Sequence, residues 1–330
     1  MSTATYLVTP TSGSCVGAQF SVVVSINPRA IISGITQVVC TGGSIEFTPG
    51  ATNGVVPVGT TYTLISAVGS AAGVTSTLFT GSRSSIIGTF TNTTNGSLSV
   101  TYTLQPTSNG CVGANFTVVV TVNATPSVTN MTVITCEGVV FQATPVQGTN
   151  GTVPANTTYS WSIPTYTSGL SGGVGGSGNA ITGTLQNSSN VIQTATYLVV
   201  PTSPSGSCVG ATFTLNVGVN PTAEIVAFTA VTCGNVAFAV TPSATNVVPS
   251  GTTYAWSSPS GSGFTGGASG SGSTINGTLL NTVNVVSTAT YLVTPTSGSC
   301  VGAQFSVVVS INPRAIISGI TQVVCTGGSI

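Results

Sequence analysis

The chain has 330 residues and only six charges at neutral pH, three Arg (Arg29, Arg83, Arg314) and three Glu (Glu46, Glu137, Glu224), with no Asp, Lys or His and a net charge of zero. At 41% apolar residues it lies outside the low-hydrophobicity, high-charge composition of disordered chains, and it has no basic patch for nucleic acid or an anionic membrane. No apolar run approaches the ~18–20 residues of a spanning helix, the N-terminus lacks the pattern of a signal peptide, and near-zero charge leaves copies of the chain free to associate.

Residues 2–45 recur without change as 287–330, an offset of 285 positions. Fold constraints preserve patterns and leave letters free. Identity over 44 residues therefore marks a piece of a longer tandem array, expected to continue in both directions. Met1 stands where the repeat has Val286.

A shorter period lies inside the long one. Tyr6, Tyr102, Tyr197 and Tyr291 open the segments YLVTPTS, YTLQPTS, YLVVPTS and YLVTPTS, each leading into a CVGA turn at Cys15, Cys111, Cys208 or Cys300. Successive turn cysteines are 96, 97 and 92 residues apart, the size of one small domain with its own core.

Each unit alternates with period two. Leu98, Val100, Tyr102 and Leu104 alternate with polar residues before the turn. After it come Phe20, Val22, Val24 and Ile26 in the opening segment, then Phe116, Val118, Val120 and Val122, then Phe213, Leu215, Val217 and Val219. Such alternation puts one face on a core and one toward water, and β-branched and aromatic residues suit strands. Gly and Pro every 8–15 residues leave no room for a long helix. The expected fold is all-β, a row of β-sandwiches arranged as a rod. Boundaries at the Asn-Pro junctions give a partial unit at 1–28 holding the last two strands and complete units at 29–124, 125–221 and 222–313. A partial unit at 314–330 holds a first strand.

Trp161 and Trp256, in TTYSWSIP and TTYAWSSP, follow Cys136 and Cys233 by about 25 residues; Leu64 takes that place in TTYTLIS. The VxC start, the TYxW strand, the YxVTP strand with its following Cys, and Asn-Pro at 27–28, 220–221 and 312–313 resemble the tandem PKD-like and Ig-like domains of very large secreted surface proteins of Bacteroidetes, gliding-motility adhesins among them. The resemblance implies Ig-like sandwiches on a bacterial cell surface. The absence of Asp departs from the many extracellular tandem β-domains that bind calcium between modules.

Eight Cys with no His and no CxxC spacing read as a disulfide framework in an oxidising compartment and not as a zinc site. Three pairings are open. Within each unit the first and last Cys give Cys40–Cys111, Cys136–Cys208 and Cys233–Cys300, the preferred reading because each unit then carries a matched pair. Ig topology makes it awkward, since the first two strands meet at the opposite end from the last two. Pairing across the junctions, as in Cys15–Cys40, uses a constant step of 25. The third option joins the first Cys of one unit to the last Cys of the next.

Catalysis finds few groups to work with. Acid–base chemistry needs positioned titratable residues, and hard cations need clustered carboxylates; three scattered Glu offer neither. No catalytic residue, cofactor site or metal site is expected. The Gly-rich stretches Gly172–Leu185 and Gly266–Leu279 lack the strand-to-helix setting of a phosphate loop and read as mobile or tightly turning connections between strands. Asn-X-Ser/Thr sequons at Asn92, Asn95, Asn115, Asn150, Asn156, Asn187 and Asn276 are expected by chance in so Thr-rich a chain. Tyr102, Tyr197 and Tyr291 alternate toward the core and read as core residues before sugar platforms.

These features together predict a non-enzymatic structural segment of a secreted stalk, fibre or filament. Its partners would be further copies of the same repeat. An adhesin repeat that holds glycans or surfaces weakly through its loops is the alternative.

Overall fold

The structure, a computed structural model, describes residues 1–242, 246–315, 317 and 319–329. The all-β expectation is borne out. Three β-sandwiches follow one another, each built on the same plan from the alternating segments.

In the middle unit the larger sheet runs in the order 131–136, 213–220, 193–203, 158–161, 176–178, and the smaller in the order 140–143, 181–187, 170–172. The flanking units repeat this, with 228–233, 305–312, 287–297, 253–256 and 270–272 in one and 35–40, 116–123, 98–108, 61–69 and 82–83 in the other. All neighbours in the larger sheet are antiparallel except one pair. The first strand lies parallel to the last, with Cys40 opposite Asn123, Cys136 opposite Asn220 and Cys233 opposite Asn312.

The period-two pattern does what it should. In strand 98–108 Val100, Tyr102 and Leu104 point into the core, and in 116–123 Phe116, Val118, Val120 and Val122 meet them. Across the two sheets the same aromatic pair recurs, Phe90 with Tyr102, Phe141 with Tyr197 and Phe238 with Tyr291, ring centroids 5.5 to 6.0 Å apart. Such pairs contribute about 0.5–1.5 kcal/mol beyond the area they bury.

The Gly-rich stretches correct the expectation of plain connections. Gly176–Gly178 and Gly270–Gly272 are short strands paired with the Trp strands. A Cβ at Gly176 or Gly270 would come within 2.7 Å of the Trp161 or Trp256 indole. Glycine is there because the indole lies flat against that backbone.

Residues 1–28 form an antiparallel hairpin, Ser2–Val8 with Phe20–Ile26, that lacks the facing sheet. Tyr6 is 59% exposed and Phe20 51%, whereas their twins in the identical segment, Tyr291 and Phe305, are 0% and 6% exposed. The first strand expected within 314–330 is not formed among the described residues there. In complete units that strand is held by a last strand alongside it, and 314–330 contains none.

Candidate functional site at the domain junctions

The parallel pairing of first and last strands decides what each unit shows at its two ends. The first strand ends in Cys beside the end of the last strand, so Cys40, Cys136 and Cys233 sit at the end facing the following unit. The CVGA turn precedes the last strand, so Cys111, Cys208 and Cys300 sit at the end facing the preceding one. Strand 116–123 has eight residues, which at ~3.3 Å each separates Cys40 from Cys111 by roughly 26 Å. A disulfide needs Cα atoms within about 7 Å.

The preferred within-unit pairing is therefore overturned. The structure joins Cys40 to Cys208 and Cys136 to Cys300, each with Cα atoms 5.6 Å apart. This is the third option, first Cys of one unit to turn Cys of the next. Both bonds cross a junction, and Cys208 and Cys300 are buried. Cys111 and Cys233, placed in disulfides by the sequence reading, are free here, as are Cys15 and Cys325.

Around each bond the backbone repeats itself. The N–H of the residue after the first-strand Cys donates to the terminal Asn carbonyl: Thr41 to Asn123, Glu137 to Asn220 and Gly234 to Asn312, at 2.9 to 3.0 Å. A second Asn ties the smaller sheet to the same end. Asn92 donates through Nδ2 to the carbonyls of Gly96 and Val122, Asn187 to those of Val191 and Val219, and Asn281 to those of Val285 and Ile311, all at 2.7 to 2.9 Å. Its Oδ1 accepts from the backbone N–H two residues on. Asn92 and Asn187 are buried, so these two sequons are brackets of the fold and closed to a glycan.

At the far side of each junction a glycine lets two backbones meet. A Cβ at Gly113, Gly210 or Gly302 would collide with the carbonyl oxygen of Ala30, Pro126 or Ala223, which explains the Gly of every complete CVGA turn. Glu137 adds a charged contact, its Oε2 accepting from the Thr222 backbone N–H at 3.3 Å. Beside the second junction a hollow is lined by Val191, Ile192, Asn220 and Pro221 on one side and Pro249 and Ser297 on the other.

Tyr102, Tyr197 and Tyr291 lie in the cores, as their alternation indicates. Burial pushes the phenols of Tyr102 and Tyr197 up to about 12. The Tyr197 and Tyr291 hydroxyls, beneath Gly173 and Gly267, have no hydrogen-bond partner among the described residues. Among those residues no three His, Cys, Asp or Glu side chains gather as metal ligands, and no helix is long and apolar enough to cross a membrane.

Fold and junctions define a class, tandem Ig-like β-sandwich repeats stapled end to end. The profile of the PKD-like domain matches residues 37–126, 133–223 and 230–315, and the chain belongs to the PKD-like domain family. No curated protein matches it. Among solved structures it is similar to mouse clustered PcdhgC3 EC1-3, at 13% identity over 85% of this chain and 100% of that one, TM-score 0.29. It is also similar to chicken CNTN1 FN1-FN3, at 11% identity over 87% and 100%, TM-score 0.30. Human desmocollin-1 ectodomain aligns at 10% identity over 90% and 65%, TM-score 0.29.

Proposed function

We propose that this chain is a non-enzymatic structural segment of a long extracellular stalk or fibre on a bacterial surface, built to stay continuous when pulled or nicked. The observation that carries this reading is the interleaving of the two junction disulfides. One spans residues 40 to 208 and the other 136 to 300, so every peptide bond between residues 40 and 300 is bridged by at least one of them. A cut in that interval leaves the chain covalently whole. The within-unit pairing would have left each linker as a single strand of backbone.

Disulfides persist in oxidising compartments, which supports a location outside the cytoplasm. The motif resemblance to Bacteroidetes surface proteins supports a bacterial source. Six charged side chains and no His leave little for acid–base catalysis. Short junctions, Asn123-Ala124-Thr125-Pro126 and Asn220-Pro221, suit a stiff spacer, because Pro fixes its own φ and restricts the residue before it.

The native glutamates supply the test. Glu224 is exposed and lies at the start of the third unit, just past its junction with the second. Oxidised protein cleaved after Glu224 by a glutamate-specific protease should migrate as one species until reductant is added, and should keep the scattering profile of an uncut rod. Separation of the two pieces without reductant, or a profile of freely jointed domains before cleavage, overturns the proposal.

A further inference from the structure

Two of the three junction types in a 285-residue period carry a disulfide in this chain. The third, between a unit like 222–313 and the unit like 29–124 that follows it, is represented only by its two faces. Cys233 is exposed at the outgoing end of the third unit and Cys111 is half-buried at the incoming end of the first. We propose that Cys233 of one copy of this repeat and Cys111 of the next copy form the third junction disulfide.

The opening hairpin shows how the faces meet. Residues 2–27 are identical to 287–312, so Asn27 is the twin of Asn312, and Cys233 lies in register opposite Asn312. Asn27 already sits on the turn of the first complete unit: its Nδ2 donates to the Asn109 carbonyl at 3.3 Å, and its own carbonyl oxygen is 3.9 Å from the Cys111 Sγ. Asn123 likewise lies against the turn before Cys208, its side-chain amide beside Gly206, and there Cys40, in register opposite Asn123, is bonded to Cys208.

The position opposite Asn27 is thus where a Cys233 belongs, beside the Cys111 sulfur. Strand Phe20–Ile26 pairs with Ser2–Val8 alone among the described residues. Its second edge and exposed apolar face are those that, in the identical segment, strand 228–233 and the core of the third unit cover. The partner that fits is a second copy of this repeat.

Bond formation requires a disulfide oxidant, a small-molecule disulfide or an oxidoreductase. One cysteine thiolate attacks it and expels a thiol. The second thiolate attacks the resulting mixed disulfide and expels the other. The two cysteines lose two protons and two electrons, and the oxidant leaves as two thiols. With this third bond the interleaving has no gap anywhere along an array.

The test extends the chain by a second passage through residues 46–330, giving two joined periods with one complete third junction. Each cysteine lies in its own segment between aromatic residues, so chymotryptic digestion of oxidised, thiol-blocked protein separates them. The expected product is a linked pair of peptides holding Cys233 and Cys111, alongside the Cys40–Cys208 and Cys136–Cys300 pairs. The Cys233→Ser change should abolish the first pair and leave the other two. Each of these cysteines occurs twice in the extended chain and only one of each lies at the completed junction, so about half of Cys233 and half of Cys111 should be recovered as blocked thiol. Recovery of all Cys233 as blocked thiol, or of Cys233 joined to any cysteine other than Cys111, overturns the proposal. So would survival of a Cys111 disulfide in the Cys233→Ser chain.

Discussion

Removing the first junction bond should weaken two domains at once. If the first unit unfolds while its neighbour stays folded, Cys40 remains held by Cys208 at the junction. The stretch from Cys40 to the linker at 124–126 then becomes a closed loop of roughly 85 residues, for which chain entropy gives about 4.6 kcal/mol at 25 °C. Unfolding the middle unit alone closes a loop of similar length from the linker to Cys208. Measured disulfide effects commonly fall below the entropic ceiling, so the Cys40→Ser/Cys208→Ser chain should lose about 2–4.5 kcal/mol in each of these units. For domains near 100 residues that lowers both melting temperatures by at least ~10 °C. The third unit, which keeps Cys136–Cys300, should melt as before. Calorimetry gives the total, and hydrogen exchange under denaturant assigns it to units. The Cys111→Ser change, at a thiol that forms no disulfide in this chain, should be silent. Loss confined to one unit, or a Cys111→Ser effect as large as that of the double change, would refute the reasoning.

Further outcomes follow from burial. Tyr291→Ala should cost about 3–5 kcal/mol, as removal of a large core side chain does, whereas Tyr6→Ala in the same local sequence should stay within about 0.5 kcal/mol; urea denaturation followed per unit compares them. Tyr197→Phe removes a buried hydroxyl without a partner and should leave stability unchanged or raise it, because an unsatisfied buried polar group costs about 1–3 kcal/mol; a melting temperature lower by several degrees would count against the assignment. The raised phenols set an alkaline limit. Unfolded tyrosines lose their protons near pH 10 while Tyr102 and Tyr197 keep theirs to about 12, so the unfolded state binds fewer protons in that window. Stability should be level below pH 9 and fall between pH 10 and 12 by about 1.4 kcal/mol per pH unit for each such tyrosine. Phenolate absorbance and thermal melts across that range would show it.

The strands were legible because their signal is local. Alternation in residues 98–104 and 116–122 needs only the pleat of a single strand to be read, and it assigns Tyr102 and Val118 to the core. The glycines of 172–178 were read as connections because the sequence does not show that they lie flat on Trp161. Asn92 and Asn187 looked like chance sequons because their partners, Val122 and Val219, are some thirty residues away.

The disulfide pairing was open for a stronger reason. Spacing treats Cys40, Cys111, Cys136 and Cys208 as points along a line. Which two meet depends on the parallel placement of 35–40 against 116–123 and on the end-to-end order of whole domains. The opening and closing 44 residues mark the division most sharply. By itself the sequence determined the repeat, the strand period and the near absence of charge, since these reside in the letters and their local sterics. Tertiary structure alone decided that Tyr6 stands in solvent while Tyr291 is enclosed, because burial belongs to the facing sheet and only one of the two identical segments has it.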